Sequence, residues 1–347
     1  MKAAVYDQFQ GGIEITNVDD PSPQKDGVVI KLKSSGLCLS DWHGWMGHDQ
    51  DIQLPHVPGH ELAGVIAAIG SDVKNFAVGD RVTVPFVSGC GKCFECQTGN
   101  QQICDNQFQP GFTHWGSFAQ YVSIHYADTN LVKLPEEMEF TTAASLGCRF
   151  ATSFRGVVDQ GKVGEDQWVA IHGCGGVGLS AIMIAKAYGA KVVAVDISQA
   201  ALDFAKPIGA EATVNASTSP DVSEEIMDIT NGGAHLSVDA LGNPDILINA
   251  LNSLRKRGKH IQIGIMPPQH TLSKIPIDKM IARELEILGS HGMQAYRYEE
   301  MLELIKNGKL HPEKLITDKV TLGDVVQELP ALNQSASTGI KVITDFG

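Results

Sequence analysis

Trp168-Val169-Ala170-Ile171-His172-Gly173-Cys174-Gly175-Gly176-Val177-Gly178 is the stretch on which the fold turns. An apolar run over residues 167–171 enters a G-x-G-x-x-G loop, and residues 177–188 beyond it read as a mostly buried helix. Glycines at 173, 175, 176 and 178 permit a tight turn and let backbone N–H groups and a helix N-terminus approach a pyrophosphate, with Val177 in the same loop. A second apolar run, 191–195, ends at Asp196. An acid there hydrogen-bonds the adenosine ribose and repels a 2′-phosphate, which favours NAD over NADP. The plainer alternative is an ordinary strand-to-helix turn followed by an exposed Asp.

Outward from this loop the strand–helix rhythm continues. Weaker apolar runs follow at 212–214, 236–239, 260–263 and 285–288. Short apolar strands alternating with helices imply a parallel sheet covered on both faces, the doubly wound α/β arrangement. Upstream the texture differs. Residues 28–32, 64–70 and 80–84 are short β-type segments broken by Gly and Pro, which predicts a β-rich, barrel-like domain. Downstream, a helix is expected at 299–307 and strands at 316–320 and 340–344. There is no internal repeat and no low-complexity linker.

With 347 residues, 43% of them hydrophobic and 19% charged, the chain is too long for one core and too apolar for disorder. Forty Asp and Glu against 27 Lys and Arg give a net charge of -13, without any basic cluster. Nucleic acid and anionic membrane surfaces would both be repelled. The Met1-Lys2-Ala3-Ala4-Val5 start lacks an apolar leader, and the seven cysteines are an odd number. The expectation is a reduced, cytoplasmic protein that uses thiols for metal or catalysis.

Four of those thiols, Cys90, Cys93, Cys96 and Cys104, lie in one compact Gly-containing loop. They match a closed tetrahedral zinc site, which stabilises a lobe and leaves no position for substrate. An iron–sulfur cluster or a redox pair would be the rival use, although cluster signatures differ in detail from this spacing. A third constellation is dispersed: Cys38-Leu39-Ser40-Asp41-Trp42-His43 after a strand, Gly59-His60-Glu61 after a Pro-rich turn, and Gly147-Cys148-Arg149. A catalytic zinc needs three protein ligands and an open fourth position. Taken singly, a buried Cys is usually inert core and a lone His structural.

Together, in this order and approximate spacing, these motifs resemble the zinc-dependent medium-chain alcohol dehydrogenases nearly end to end. The resemblance implies a β-rich GroES-like catalytic domain, residues 1–149 and 292–347, flanking a Rossmann coenzyme domain at 150–291. It implies two zinc ions per chain: a catalytic one on Cys38, His60 and Cys148, and a structural one on Cys90, Cys93, Cys96 and Cys104. It makes Ser40 and His43 a proton relay bridged by the coenzyme ribose, Asp41 the residue that orients His60, and Glu61 an acid behind the metal that assists ligand exchange. Ile263, Ile265 and Lys341 join the glycine loop and Asp196 as coenzyme-binding residues. A homotetramer is implied, with a dimer as the other assembly.

Some positions depart from the family. Leu39 stands where many relatives carry a base that touches the pyrophosphate, and Lys341 is expected to take over that contact. Arg149 and Phe150 replace small residues, which is expected to alter the pocket floor and with it substrate size. Phe86, Trp115 and Trp45 are candidate pocket walls. The leading expectation is reversible hydride transfer between a primary or secondary alcohol and NAD. A polyol or amino-alcohol dehydrogenase of the same superfamily is the second reading, although such relatives often carry Glu where this chain has Cys148. A non-catalytic zinc- and dinucleotide-binding protein is the third.

Overall fold

A computed structural model describes residues 1–266, 274–333 and 338–347. The chain opens with an antiparallel pair, β1 (Lys2–Val5) and β2 (Glu14–Asn17). It continues through β3 (Val28–Leu37), β4 (Glu61–Ile69), β5 (Arg81–Thr83), β6 (Tyr121–Ile124) and β7 (Val132–Lys133). In β3, Ile30 and Leu32 are buried while Lys31 and Lys33 reach solvent, the period of two expected of a half-covered sheet. The strand then runs past the predicted residue 32 to Leu37, and its last four residues are buried.

The second half is the parallel unit. Strands β8 (Trp168–His172), β9 (Lys191–Asp196), β10 (Ala212–Asn215), β11 (Ala234–Asp239), β12 (Leu254–Gln262) and β13 (Glu286–Gly289) lie in the order β10-β9-β8-β11-β12-β13. Each pair is parallel, as helix-covered strands must be. The chain order reverses between β8 and β11, which opens a crevice at the carboxyl ends of those strands. The helix Gly176–Ala187 that follows β8 is buried continuously from Gly178 to Ala185, which is why its sequence is apolar all round.

The chain then returns to the first sheet. Strands β14 (Ile316–Thr321) and β15 (Ile340–Asp345) complete the order β14-β15-β3-β4-β5-β7, with β6 on the free part of β3. In the antiparallel β15–β3 register, Lys341 stands opposite Leu37 and Val342 opposite Gly36. The last strand therefore lies beside the one that delivers Cys38.

Between the two sheets runs a helical stretch with no counterpart in the sequence reading. It comprises Phe140–Ala144, a π-helical turn Leu146–Phe150, Ala151–Phe154 and a second π-helical turn Arg155–Gln160. Every residue from Thr142 to Phe154 is buried, so no polar face exists to set a helical period. Leu146, Phe150 and Phe154 share one apolar cluster with Ile171 and Leu179 of the parallel unit and with Ile340 and Val342 of β15. Among the described residues, no helix is long and apolar enough to cross a membrane.

Candidate active site

The helix Leu39–Trp45 starts where β3 ends, and Asp41 in its first turn organises the neighbourhood. Its fully buried carboxylate accepts from the Cys38 backbone N at 3.0 Å, from the Gly59 N at 3.0 Å and from His60 Nδ1 at 2.8 Å. One side chain thus fixes two separate segments and the His60 tautomer. His60 Nε2 is left buried without a hydrogen-bond partner among the described residues. Cys148 arrives on the first π-helical turn, a distortion often found where a helix must aim a functional side chain. The ligand atoms of Cys38, His60 and Cys148 all lie within 4.8 Å of one another. A hydrogen bond with Cys148, aided by the Arg149 charge, holds the Cys38 thiol well below its ordinary range despite burial. Burial works against a charged His60, and the Asp41 carboxylate together with Cys38 more than offsets it. Two thiols and an imidazole, without a fourth protein ligand among the described residues, make a donor set suited to zinc with an open position.

Around this cluster the structure sorts the candidates. Ser40 Oγ lies 3.7 Å from Cys38 Sγ. His43 is part-exposed, and its Nδ1 is 2.9 Å from Nδ1 of His48, a residue the sequence reading had not singled out. No spacing rule marks His48; only the Gly47 turn brings it back onto the helix. Phe86 is buried against Cys38 and Cys148, with its ring 6.0 Å from that of His60. The ring of Phe112, which was also missed, lies 5.0 Å from His60. Trp115 is 39% exposed and donates to the Pro55 carbonyl. Trp45 packs with the separate core of Tyr6, Val57 and Phe118 and donates to the Gly11 carbonyl.

Two expectations about the departures are corrected. Phe150 is fully buried in the core shared by the sheets and forms no pocket floor. Arg149 is buried and turned onto Glu61: Oε1 accepts from the Arg149 backbone N at 2.9 Å and from Nε at 3.0 Å, and Oε2 accepts from Nη2. Glu61 is therefore an ion-pair partner in this structure. Lys341 is engaged as well, with Nζ donating to Glu328 Oε2 at 2.7 Å.

At the coenzyme loop, Gly173 has φ of +96°, and a Cβ at Gly178 would lie 1.7 Å from the Gly173 carbonyl oxygen, so neither position admits a side chain. Above Gly175 a Cβ would meet nothing within 4 Å, leaving open backbone at the start of the helix Gly176–Ala187. Asp196 ends β9, and its carboxylate accepts from the Cys174 N at 2.7 Å and the Ser198 N at 2.9 Å. It braces the loop as well as facing the crevice end of the sheet. After β11 and β12, Gly242 and Gly264 touch backbone to backbone, and Asp239 accepts from the Leu241 and Gly242 N–H groups. Ile263 is half-buried against the core, whereas Ile197, Leu241 and Ile265 are 72%, 51% and 70% exposed at these strand ends. Such exposed apolar residues are what a coenzyme crevice would cover.

Cys90, Cys93, Cys96 and Cys104 also converge within 4.8 Å. Cys90 Sγ accepts from the Lys92 and Cys93 N–H groups, which bring its thiol down to about 6 against the effect of burial. Burial pushes Cys96 up to about 12. Four thiols this close ionise together only around a cation. Asn130 clamps the lobe at Gly89, while Tyr296 and Gln294 donate to the Gly99 carbonyl and tie it to the chain beyond β13.

Residues 24–136 match the alcohol dehydrogenase GroES-like domain family and residues 176–307 the zinc-binding dehydrogenase family. An alcohol dehydrogenase of Geobacillus stearothermophilus is 34% identical over 89% of this chain and 90% of its own. A solved NAD-dependent alcohol dehydrogenase superposes with a TM-score of 0.89 at 29% identity, covering 99% of each chain. Benzyl alcohol dehydrogenase from Acinetobacter calcoaceticus does so with 0.90 at 28% identity, again over 99% of each. A relationship that spans both sheets at this identity leaves one conclusion: the chain belongs to the zinc-dependent medium-chain alcohol dehydrogenase family.

Proposed function

We propose that this protein is an NAD-linked, zinc-dependent alcohol dehydrogenase interconverting primary or secondary alcohols with aldehydes or ketones. The observation that carries the reading is the cluster of Cys38, His60 and Cys148, with a buried, unpartnered His60 Nε2 aimed among ligand atoms no more than 4.8 Å apart. When bound there, zinc supplies a Lewis acid toward the alcohol oxygen, and NAD on the glycine loop supplies the hydride acceptor. Cys38, His60 and Cys148 would hold the first zinc and the four-cysteine lobe a second, structural one.

The chain's own residues do the rest. Asp41 keeps the proton on His60 Nδ1, so Nε2 stays free to bind metal. Ser40, beside Cys38, takes the alcohol proton, and part-exposed His43 passes it toward solvent with His48 at its outer nitrogen. Phe86 and Phe112 keep water from the reacting centre. The Gly175–Gly178 turn receives the pyrophosphate, Asp196 the adenosine ribose, and the ends of β11 and β12 with Ile263 and Ile265 the rest of the coenzyme. In domain terms we assign residues 1–149 and 292–347 to catalysis and 150–291 to coenzyme, and the assembly to a homotetramer. Formation of NADH with a panel of alcohols tests the reading. A folded, two-zinc preparation that turns over none of them overturns it.

A further inference from the structure

Arg149 sits where a guanidinium is costly. Its side chain is 8% exposed, and a buried ion of this kind is tolerated only when it is paired and hydrogen-bonded. Glu61 meets that need with both carboxylate oxygens. The pair is held from two sides by places where a side chain is missing. On one side is Gly36 of β3, where a Cβ would stand 2.3 Å from Glu61 Oε2 and 2.9 Å from Arg149 Nη2. On the other is Gly176, the first residue of the loop helix, where a Cβ would stand 2.5 Å from Arg149 Cδ and 3.3 Å from Nε and Nη1. The G-x-G-x-x-G pattern asks for glycine at 173, 175 and 178, and Gly176 is an extra one. The two charged partners are also immediate chain neighbours of two metal-site residues, since Glu61 follows His60 and Arg149 follows Cys148. Contact therefore runs without a gap from the coenzyme loop through the guanidinium to the backbone carrying His60 and Cys148.

We propose that Arg149 is a positioning residue that couples the coenzyme loop to the metal cluster, so that the seating of the loop at Gly176 sets the geometry of His60 and Cys148 through the Arg149–Glu61 pair. The proposal rests on the reading that Cys38, His60 and Cys148 hold zinc. Reciprocity makes it two-way: whatever shifts the loop changes metal retention, and metal loading changes coenzyme affinity by the same factor.

The test needs no turnover. Coenzyme-free holoenzyme is exposed to a chelator, and release of each metal is timed, with the visible spectrum of a cobalt-substituted catalytic site as a second readout. Gly176→Ala should speed release from the Cys38–His60–Cys148 site about 5- to 20-fold and shift the cobalt spectrum. Release from the four-cysteine lobe should stay unchanged. In an Arg149→Ala background the Gly176→Ala change should add nothing. Should Arg149→Ala fail to fold, Gly36→Ala presses on the same pair from the opposite side and should reproduce the faster release with the loop untouched. Wild-type release and spectrum in Gly176→Ala, an equal Gly176→Ala effect in the Arg149→Ala background, or unchanged release in Gly36→Ala each overturns the coupling. Wild-type protein retaining only the lobe metal overturns the zinc reading itself, and the coupling with it.

Discussion

Replacing His172 by Leu should make the protein markedly more resistant to mild acid. His172 ends β8, is 2% exposed, and its Nε2 has no hydrogen-bond partner among the described residues. Its neighbours in register are Asp239 and Val195, and His260 lies close enough to add repulsion. Burial, with that repulsion, pushes the imidazole down from 6.5 to about 3. The fold therefore holds the neutral ring, whereas the unfolded chain binds a proton below pH 6.5. A depressed histidine contributes stability that is complete above 6.5 and lost as the pH falls toward 3. Integrated at 1.36 kcal/mol per pH unit, the loss from this one group is about 2 kcal/mol at pH 5 and about 4–5 kcal/mol by pH 3. Leu fills a similar volume and cannot titrate. Urea unfolding of both proteins at pH 8 and pH 5 isolates the term, because the other histidines and the metal thiols are common to both. The stability gap between His172→Leu and wild type should widen by about 2 kcal/mol at the lower pH. At pH 8 the variant should already be the more stable, since the unsatisfied ring nitrogen costs about 1–3 kcal/mol. Parallel pH curves for the two proteins would refute the reasoning.

Other outcomes follow from the two cysteine clusters, the relay and the loop. Cys38→Ser should abolish turnover with little change in melting temperature, whereas Cys96→Ser should lower thermal stability first; metal analysis should show one zinc lost in each case. His43→Gln should reduce turnover about 10²- to 10⁴-fold, most strongly at mild pH where burial and His48 keep the ring neutral, and added imidazole should restore part of it. An unchanged pH–rate profile would remove His43 from proton transfer. NAD should be used in preference to NADP, because Asp196 is followed by no cation in Ile197-Ser198-Gln199-Ala200-Ala201, and Asp196→Ser should narrow the gap in kcat/KM. The same change removes acceptors for the Cys174 and Ser198 N–H groups, so NAD affinity itself should fall, as direct titration would show.

What the sequence made legible has a physical pattern. The parallel unit was readable because buried strands and a helix buried from Gly178 to Ala185 produce apolar runs on both sides of a glycine loop. The cysteine lobe was readable because its ligands are close in sequence and few other uses need four thiols. The dispersed cluster was readable only through family resemblance, since Cys38, His60 and Cys148 come from three elements with no local rule linking them. The helical stretch 140–160 was not readable, because from Thr142 to Phe154 burial on every side erases the period. Arg149 misled for a different reason. Next to a metal-site cysteine it reads as pocket floor, and only its bond to Glu61, 88 positions away, shows that it points elsewhere. His48 and Phe112 owe their places to turns and packing, which composition does not encode.

The return of β15 to β3 has a consequence for synthesis. Leu37 leaves the ribosome about 300 positions before its partner Lys341. All six strands of the parallel sheet, Trp168 to Gly289, emerge in the meantime and can pair with one another. While those strands are being made, the nascent chain thus carries β3 with one edge bare beside Cys38, an edge of the kind that recruits wrong partners. Losing residues 338–347 would leave every candidate metal ligand on the chain. It would still deny the first sheet its closing strand, and the product should meet chaperones and proteases before it meets zinc.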